Sequence, residues 1–183
     1  STDSIFDGRL GPYSENDIPN PINVYAKSKL LGEKHILNNL GNEVIIRTNF
    51  YGYDNDNNFL FNWILNNLKN KKKFIAFDDI IFNPLEISNL SKMIVEISLK
   101  NYTGTINMAS DDIISKYEFA VEISKKLDYD QNLIEKGNSN GMNFTAKRPK
   151  NTSLTNYKMK KEVKTKITSL SDWLKIVKND YNP

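Results

Sequence analysis

Tyr25 and Lys29 stand four residues apart in NVYAKSKLLGE, residues 23–33. On a helix that spacing places one group above the other. An ammonium beside a phenol favours the phenolate and eases proton transfer. Upstream, the chain opens on STD, so Ser1 or Thr2 offers a hydroxyl that could donate to a carbonyl while Tyr25 protonates it. That constellation suits ketone reduction. Tyr-x-x-x-Lys is also common by chance, and Glu33, four residues past Lys29, could simply pair with it. On a helical wheel of 22–40, Ile22, Ala26, Leu30, Ile36, Leu37 and Leu40 share a broad face, with Leu31 opposite. Tyr25, Lys29 and Gly32 run along its edge, whereas Lys27 and Lys34 lie on the solvated side. Lys29 is therefore expected to be partly buried, and a buried ammonium needs a reason.

Elements must bring these groups together, and the order of the chain suggests how. STDSIFDG reads as a strand end running into a turn at Asp7-Gly8, followed by a Pro/Gly/Asn-rich loop over 9–21. A helix is expected over 22–40, closed by Gly41, and a strand over 43–52. Strand, helix, strand at this spacing predicts a parallel βαβ unit. Helices are expected over 57–69, 85–100, 115–127 (capped by Ser115) and 169–181. Strands are expected over 73–77, 80–84 and 104–110, with 136–152 irregular. The alternation is α/β throughout: a wound parallel sheet first, then a smaller mixed lobe. None of the eight glycines forms the Gly-rich turn that cradles a dinucleotide phosphate.

Composition narrows the partners. The 183 residues, 39% hydrophobic and 26% charged, suffice for a packed core. The net charge of +3 comes from scattered lysines and makes no case for nucleic acid. Lys69–Lys73, the densest basic run, reads as a solvated helix end. There is no cysteine, and a single His35 in mid-helix builds no metal cluster, so no metal site is expected. No apolar run approaches a membrane span and no leader is visible, so a cytoplasmic protein without a membrane partner is the expectation, although residue 1 is Ser rather than Met. Of 25 basic residues only Arg9, Arg47 and Arg148 are arginines. Guanidinium retained against a lysine bias marks Arg47 and Arg148 for bidentate binding.

With these motifs in view, the chain resembles the extended short-chain dehydrogenase/reductases, and among them the dTDP-4-dehydrorhamnose reductase family. STDSIFDG, PYSEND, PINVYAKSKLLGE, IIRTNFYG, TGTINMASDDIISKYEFA and AKRPKNTSLTNYKMKK follow that family's motifs in order along nearly the whole chain. Ser4 replaces the family's usual Tyr, Ala26 its Gly, Asn49 its Ser, and Leu85 a Thr. The resemblance implies an incomplete Rossmann-type parallel sheet, represented by its last strands, plus a small α/β substrate-binding lobe. Residues 1–53 would belong to the nucleotide-binding domain and 54–183 mainly to the lobe, with about 73–110 returning to the sheet. It implies reduction of the 4-keto group of a nucleotide-linked 6-deoxy sugar with NADPH or NADH. Thr2, Tyr25 and Lys29 would be catalytic. Tyr25, Lys29 and Asn49 would lie at the cofactor, and Asp3, Phe50 and Arg148 at the substrate. Arg148 would meet the diphosphate, or else only tie down a loop. A homodimer is compatible with the resemblance. Roughly 100 residues precede STD in the family and carry the cofactor's Gly-rich turn, so the chain is expected to be a truncated form, inactive alone, with an open strand edge. Two alternatives remain. One is a sugar-nucleotide epimerase or dehydratase, although dehydratases follow Thr-Asp with Glu and this chain has Ser4. The other is a non-catalytic regulatory homologue.

Overall fold

The computed structural model describes residues 1–39, 42–53 and 59–181. The expected cap Gly41, Leu40 of the wheel, and the first two residues of the helix expected from 57 lie outside them. The strands are β1 (Val44–Thr48), β2 (Phe50–Tyr51), β3 (Phe74–Phe77), β4 (Ile81–Phe82), β5 (Leu85–Glu86), β6 (Gly104–Met108), β7 (Ile114–Ser115) and β8 (Ile134–Gly137). The helices are α1 (Val24–Asn39), α2 (Leu60–Lys69), α3 (Ile87–Leu99), α4 (Lys116–Lys126), α5 (Tyr157–Glu162) and α6 (Leu170–Tyr181). The class is α/β, as expected.

β1 pairs with β6 in parallel, from Val44 opposite Gly104 to Thr48 opposite Met108. On the other side of β1, Thr2 forms a parallel bridge to Thr48, and the Ser1 nitrogen donates to the Ile46 carbonyl at 2.7 Å. The expected parallel βαβ unit, with α1 as its crossover, is thus present. α3 and α5 pack on this layer through Leu90, Met93, Ile97 and Met159, against Ile106 and Met108. Glu86 caps α3 by accepting from the Ser88 and Asn89 nitrogens. The start expected at 85 therefore moves to 87, and Leu85–Glu86 is a strand, because an acceptor is needed ahead of the first turn.

A second core lies beside the first. β3 and β8 pair in parallel, and α2, α4 and α6 cover them with Phe61, Ile64, Leu68, Phe119, Ile123 and Leu174. The i, i+3, i+4, i+7 spacing in α2 and the Ser115–Glu118 capping box of α4 explain why these helices read clearly from sequence. Full burial of each large side chain contributes about 1.5–3 kcal/mol.

Between the layers runs Lys150–Thr155. Its backbone bonds to Gly8 and Tyr13 on one side and Ile81 on the other. This seam joins the two cores and forms one edge of the cleft.

Candidate active site

The cleft, about 1050 Å³, opens between the N-terminus of α1, the first turn of the chain, β4, the start of α4 and the segment 143–149. Tyr25, Asp3, Asn49 and Arg148, four of the expected site residues, line it. Thr2, Lys29 and Phe50 do not.

α1 presents the tyrosine. Asn23 caps the helix, its Oδ1 accepting from the Ala26 nitrogen at 2.8 Å. Its Nδ2 donates to the Lys147 carbonyl at 3.0 Å and so ties the helix start to the opposite edge of the cleft. The tyrosine side is 58% exposed. Among the described residues, neither the Tyr25 hydroxyl nor the Lys29 ammonium has a hydrogen-bond partner. Lys29 is exposed, against the wheel's partial burial. The wheel fails because, among the described residues of this helix, only Ala26 and Glu33 are buried, with Leu30 half-buried, while Ile36 and Leu37 face out. A charged residue occupies the inward position that the wheel reserves for an apolar one.

That charge belongs to a buried ion pair. Glu33 accepts from Arg47 Nη2 at 2.8 Å and from Nε at 3.1 Å, with side chains only 3% and 7% exposed. Arg47 Nη1 also donates to the Glu15 carbonyl, and the guanidinium lies 5.5 Å from the Phe6 ring centroid. Glu33 therefore does not pair with Lys29, and Arg47 is not a ligand-binding residue but the bolt fixing α1 to β1. A planar, always-charged donor was indeed required, but inside the protein.

Asp3 is the second fixed point. Its carboxylate accepts from Thr2 Oγ1, Ser4 Oγ, Asn49 Nδ2 at 2.9 Å and Thr152 Oγ1 at 2.7 Å. Asn49, expected at the cofactor, thus spends its amide on Asp3 and shares the cleft wall with it. The Thr2 hydroxyl is buried, donating to Asp3 and accepting from the Ser4 nitrogen. Phe50 is 43% exposed and meets Phe59 edge-on outside the cleft.

Arg148 stands exposed at the rim, its guanidinium 4.8 Å from the Phe144 ring centroid. Its segment is held from two sides. Gly8, at φ +81°, lets Lys150 approach so closely that a Cβ would lie 2.3 Å from the Lys150 nitrogen. Lys150 and Ser139 both bind Asp79. Partial burial opposes ionisation of Asp79, yet these hydrogen bonds prevail and hold its carboxyl below the ordinary range. Lys116, which sequence reasoning passed over, also lines the cleft.

The chain as a whole is similar to known proteins. The model of one family, the RmlD substrate binding domain, matches residues 1–182. Over 159 residues the chain is 30% identical to a probable low-salt glycan biosynthesis reductase, Agl14, of Haloferax volcanii; the match covers 84% of this chain and 53% of that protein. It is 30% identical over 143 residues to methionine adenosyltransferase 2 subunit beta of Bos taurus, covering 68% of this chain and 40% of the relative. A crystal structure of a hypothetical dTDP-4-dehydrorhamnose reductase from Sulfolobus tokodaii matches with a TM-score of 0.82 and 33% identity, over 94% of this chain and 60% of that one. The chain spans about half the length of the curated relatives it matches.

Proposed function

This chain belongs to the RmlD substrate binding domain family, and on that premise we propose that it carries the substrate side of an NAD(P)H-dependent reductase. The substrate is the 4-keto group of a nucleotide-linked 6-deoxy sugar. One observation carries the reading: Tyr25 and Arg148, 123 positions apart, line one cleft, an acid at one wall and a diphosphate-binding cation at the other.

The reduced nicotinamide supplies a hydride to C4 when bound. Tyr25 gives its hydroxyl proton to the C4 oxygen, which becomes the alcohol. Lys29, one turn along the exposed ridge of α1, steadies the negative charge then left on Tyr25 and binds the nicotinamide ribose. The donors present fit that end of the cofactor, since Tyr25 and Lys29 have no competing hydrogen-bond partner among the described residues. No Gly-rich phosphate turn lies in this chain. Thr2 serves the ketone oxygen by turning its hydroxyl hydrogen away from Asp3. Asp3 and Asn49 keep the substrate wall in register, and Arg148 takes the diphosphate bidentately.

The test is NADPH or NADH oxidation by the full-length protein with dTDP-4-keto-6-deoxyglucose. Turnover that disappears in Tyr25→Phe supports the reading, and turnover that persists removes Tyr25 as the acid. The likeness to a methionine adenosyltransferase subunit favours a second reading, a non-catalytic partner of another enzyme. Under it the wild-type protein oxidises no cofactor with this substrate.

A further inference from the structure

Lys116 lines the cleft half-buried, with an ammonium that no ion pair among the described residues accounts for. It is the first residue of α4, with its backbone nitrogen donating to the Ile80 carbonyl at 2.9 Å. Its ammonium sits 3.1 Å from the Phe82 ring centroid, on the cleft wall. Among the described residues Nζ has no hydrogen bond and no ion pair. Asp3 lies near enough to favour the charge and Arg148 near enough to oppose it, so Lys116 stands within electrostatic reach of both. Asp3 already accepts from four donors. A cation in the first turn of a helix also faces the positive end of the dipole. Burial drives its pKa down from 10.5 to about 7. Half-buried in the cleft wall, the ammonium keeps its N–H donors for oxygen acceptors from outside the protein.

The geometry narrows what that is. Ile80 and Phe82 give the same part of the cleft an apolar floor suited to the C–H face of a pyranose. Arg148 is at the rim, where the dianionic diphosphate belongs, and Asp3 is wired to Thr2 at the carbonyl end. Resting on the nucleotide-sugar reading above, we propose that Lys116 is a specificity-determining residue whose ammonium donates hydrogen bonds to hydroxyl oxygens of the hexose, between its carbonyl at Tyr25 and its diphosphate at Arg148.

The test compares dTDP with dTDP-rhamnose, titrated calorimetrically into full-length wild-type protein and Lys116→Met, with reduced cofactor present so that the alcohol cannot turn over. Methionine keeps an unbranched side chain over Phe82 and removes the charge. The inference requires unchanged dTDP affinity and dTDP-rhamnose binding weakened about 10- to 100-fold, the loss of a charge-assisted hydrogen bond. The unchanged dTDP affinity also shows that the variant is folded. Equal losses for both ligands would place the contact on the diphosphate and overturn the proposal. No loss for either would make Lys116 a packing residue and overturn it too. Wild-type protein that binds neither ligand would instead sink the nucleotide-sugar reading, and this inference with it.

Discussion

The two walls of the cleft are built in opposite ways. The α1 wall shows Tyr25 to solvent, with Lys29 one turn further along the helix, neither with a hydrogen-bond partner among the described residues, and its rigidity comes from beneath, from the Glu33–Arg47 pair. The opposite wall is an irregular segment, Asn143–Pro149, steadied by the Asn23 bond to the Lys147 carbonyl, by the Lys150–Asp79 anchor that follows it and by the close approach at Gly8. The first separates the groups that would act from those that hold. The second mixes them, since Arg148 lies two residues from Lys150, which anchors the segment. Substitutions on the α1 wall should therefore divide cleanly into losses of activity and losses of stability, whereas those on the opposite wall should move both.

The largest expected effect tests the first half of that contrast. Tyr25→Phe in the full-length enzyme should lower kcat by about 100- to 10,000-fold, the range for loss of a positioned acid. Its melting temperature should not move, because the hydroxyl has no partner to lose. A parallel fall in melting temperature would show that the hydroxyl holds structure after all.

Beneath the same helix the sign reverses. Glu33→Met should cost about 3–5 kcal/mol in urea unfolding, because Arg47 is left charged and buried. Adding Arg47→Met should recover most of that loss, since apolar side chains of similar volume replace a buried pair at little cost. Equal losses in the single and double variants would mean that the pair is not the bolt described here.

What could be read from sequence follows the range of each interaction. Periodicity within one helix found α2, α4 and α6, and a capping box needs only Ser115 and Glu118. β8 escaped because IEKG looks polar, and its partner β3 lies sixty residues earlier. α5, six residues long, is too short to show a period. The same limit applies to Glu33. Local spacing offers Lys29 four residues away, whereas the true partner Arg47 is fourteen away and comes close only through the sheet. The retained arginine was a real signal, read toward a ligand when it pointed inward. The helix expected from 22 places Asn23 inside it, whereas the structure makes Asn23 the cap of α1 with a second bond to Lys147. Lys116 carried no local signal, because its meaning depends on Asp3, Phe82 and Arg148 meeting around it.

The opposite wall supplies the next smaller effect. Gly8→Ala forces a side chain into φ +81° and against Lys150 and Pro149. A loss of about 1–3 kcal/mol in unfolding free energy is expected from the backbone alone. Displacement of the Arg148 segment should also weaken dTDP binding. If stability falls while dTDP affinity holds, the two properties are separable on this wall too, and the contrast drawn above fails.

The smallest effect is a pH dependence in which stability and recognition move in opposite directions at one residue. Below about pH 7 Lys116 is charged in both the folded and the unfolded chain, so the cost of burying its ammonium is fully present. Between there and 10.5 the unfolded chain holds the extra proton. Stability should therefore rise with pH across that window in the wild type relative to Lys116→Met. Over the same window the ammonium is lost from the ligand-free cleft, so the wild type's preference for dTDP-rhamnose over dTDP should decline toward that of the variant. Asp3, Tyr25, Lys147 and Arg148 are the other charged or titratable groups lining the cleft, and both proteins carry them, so the difference reports Lys116. Parallel pH profiles for the two proteins would mean that the Lys116 ammonium is solvated in the free protein and that the cleft wall imposes no cost on it.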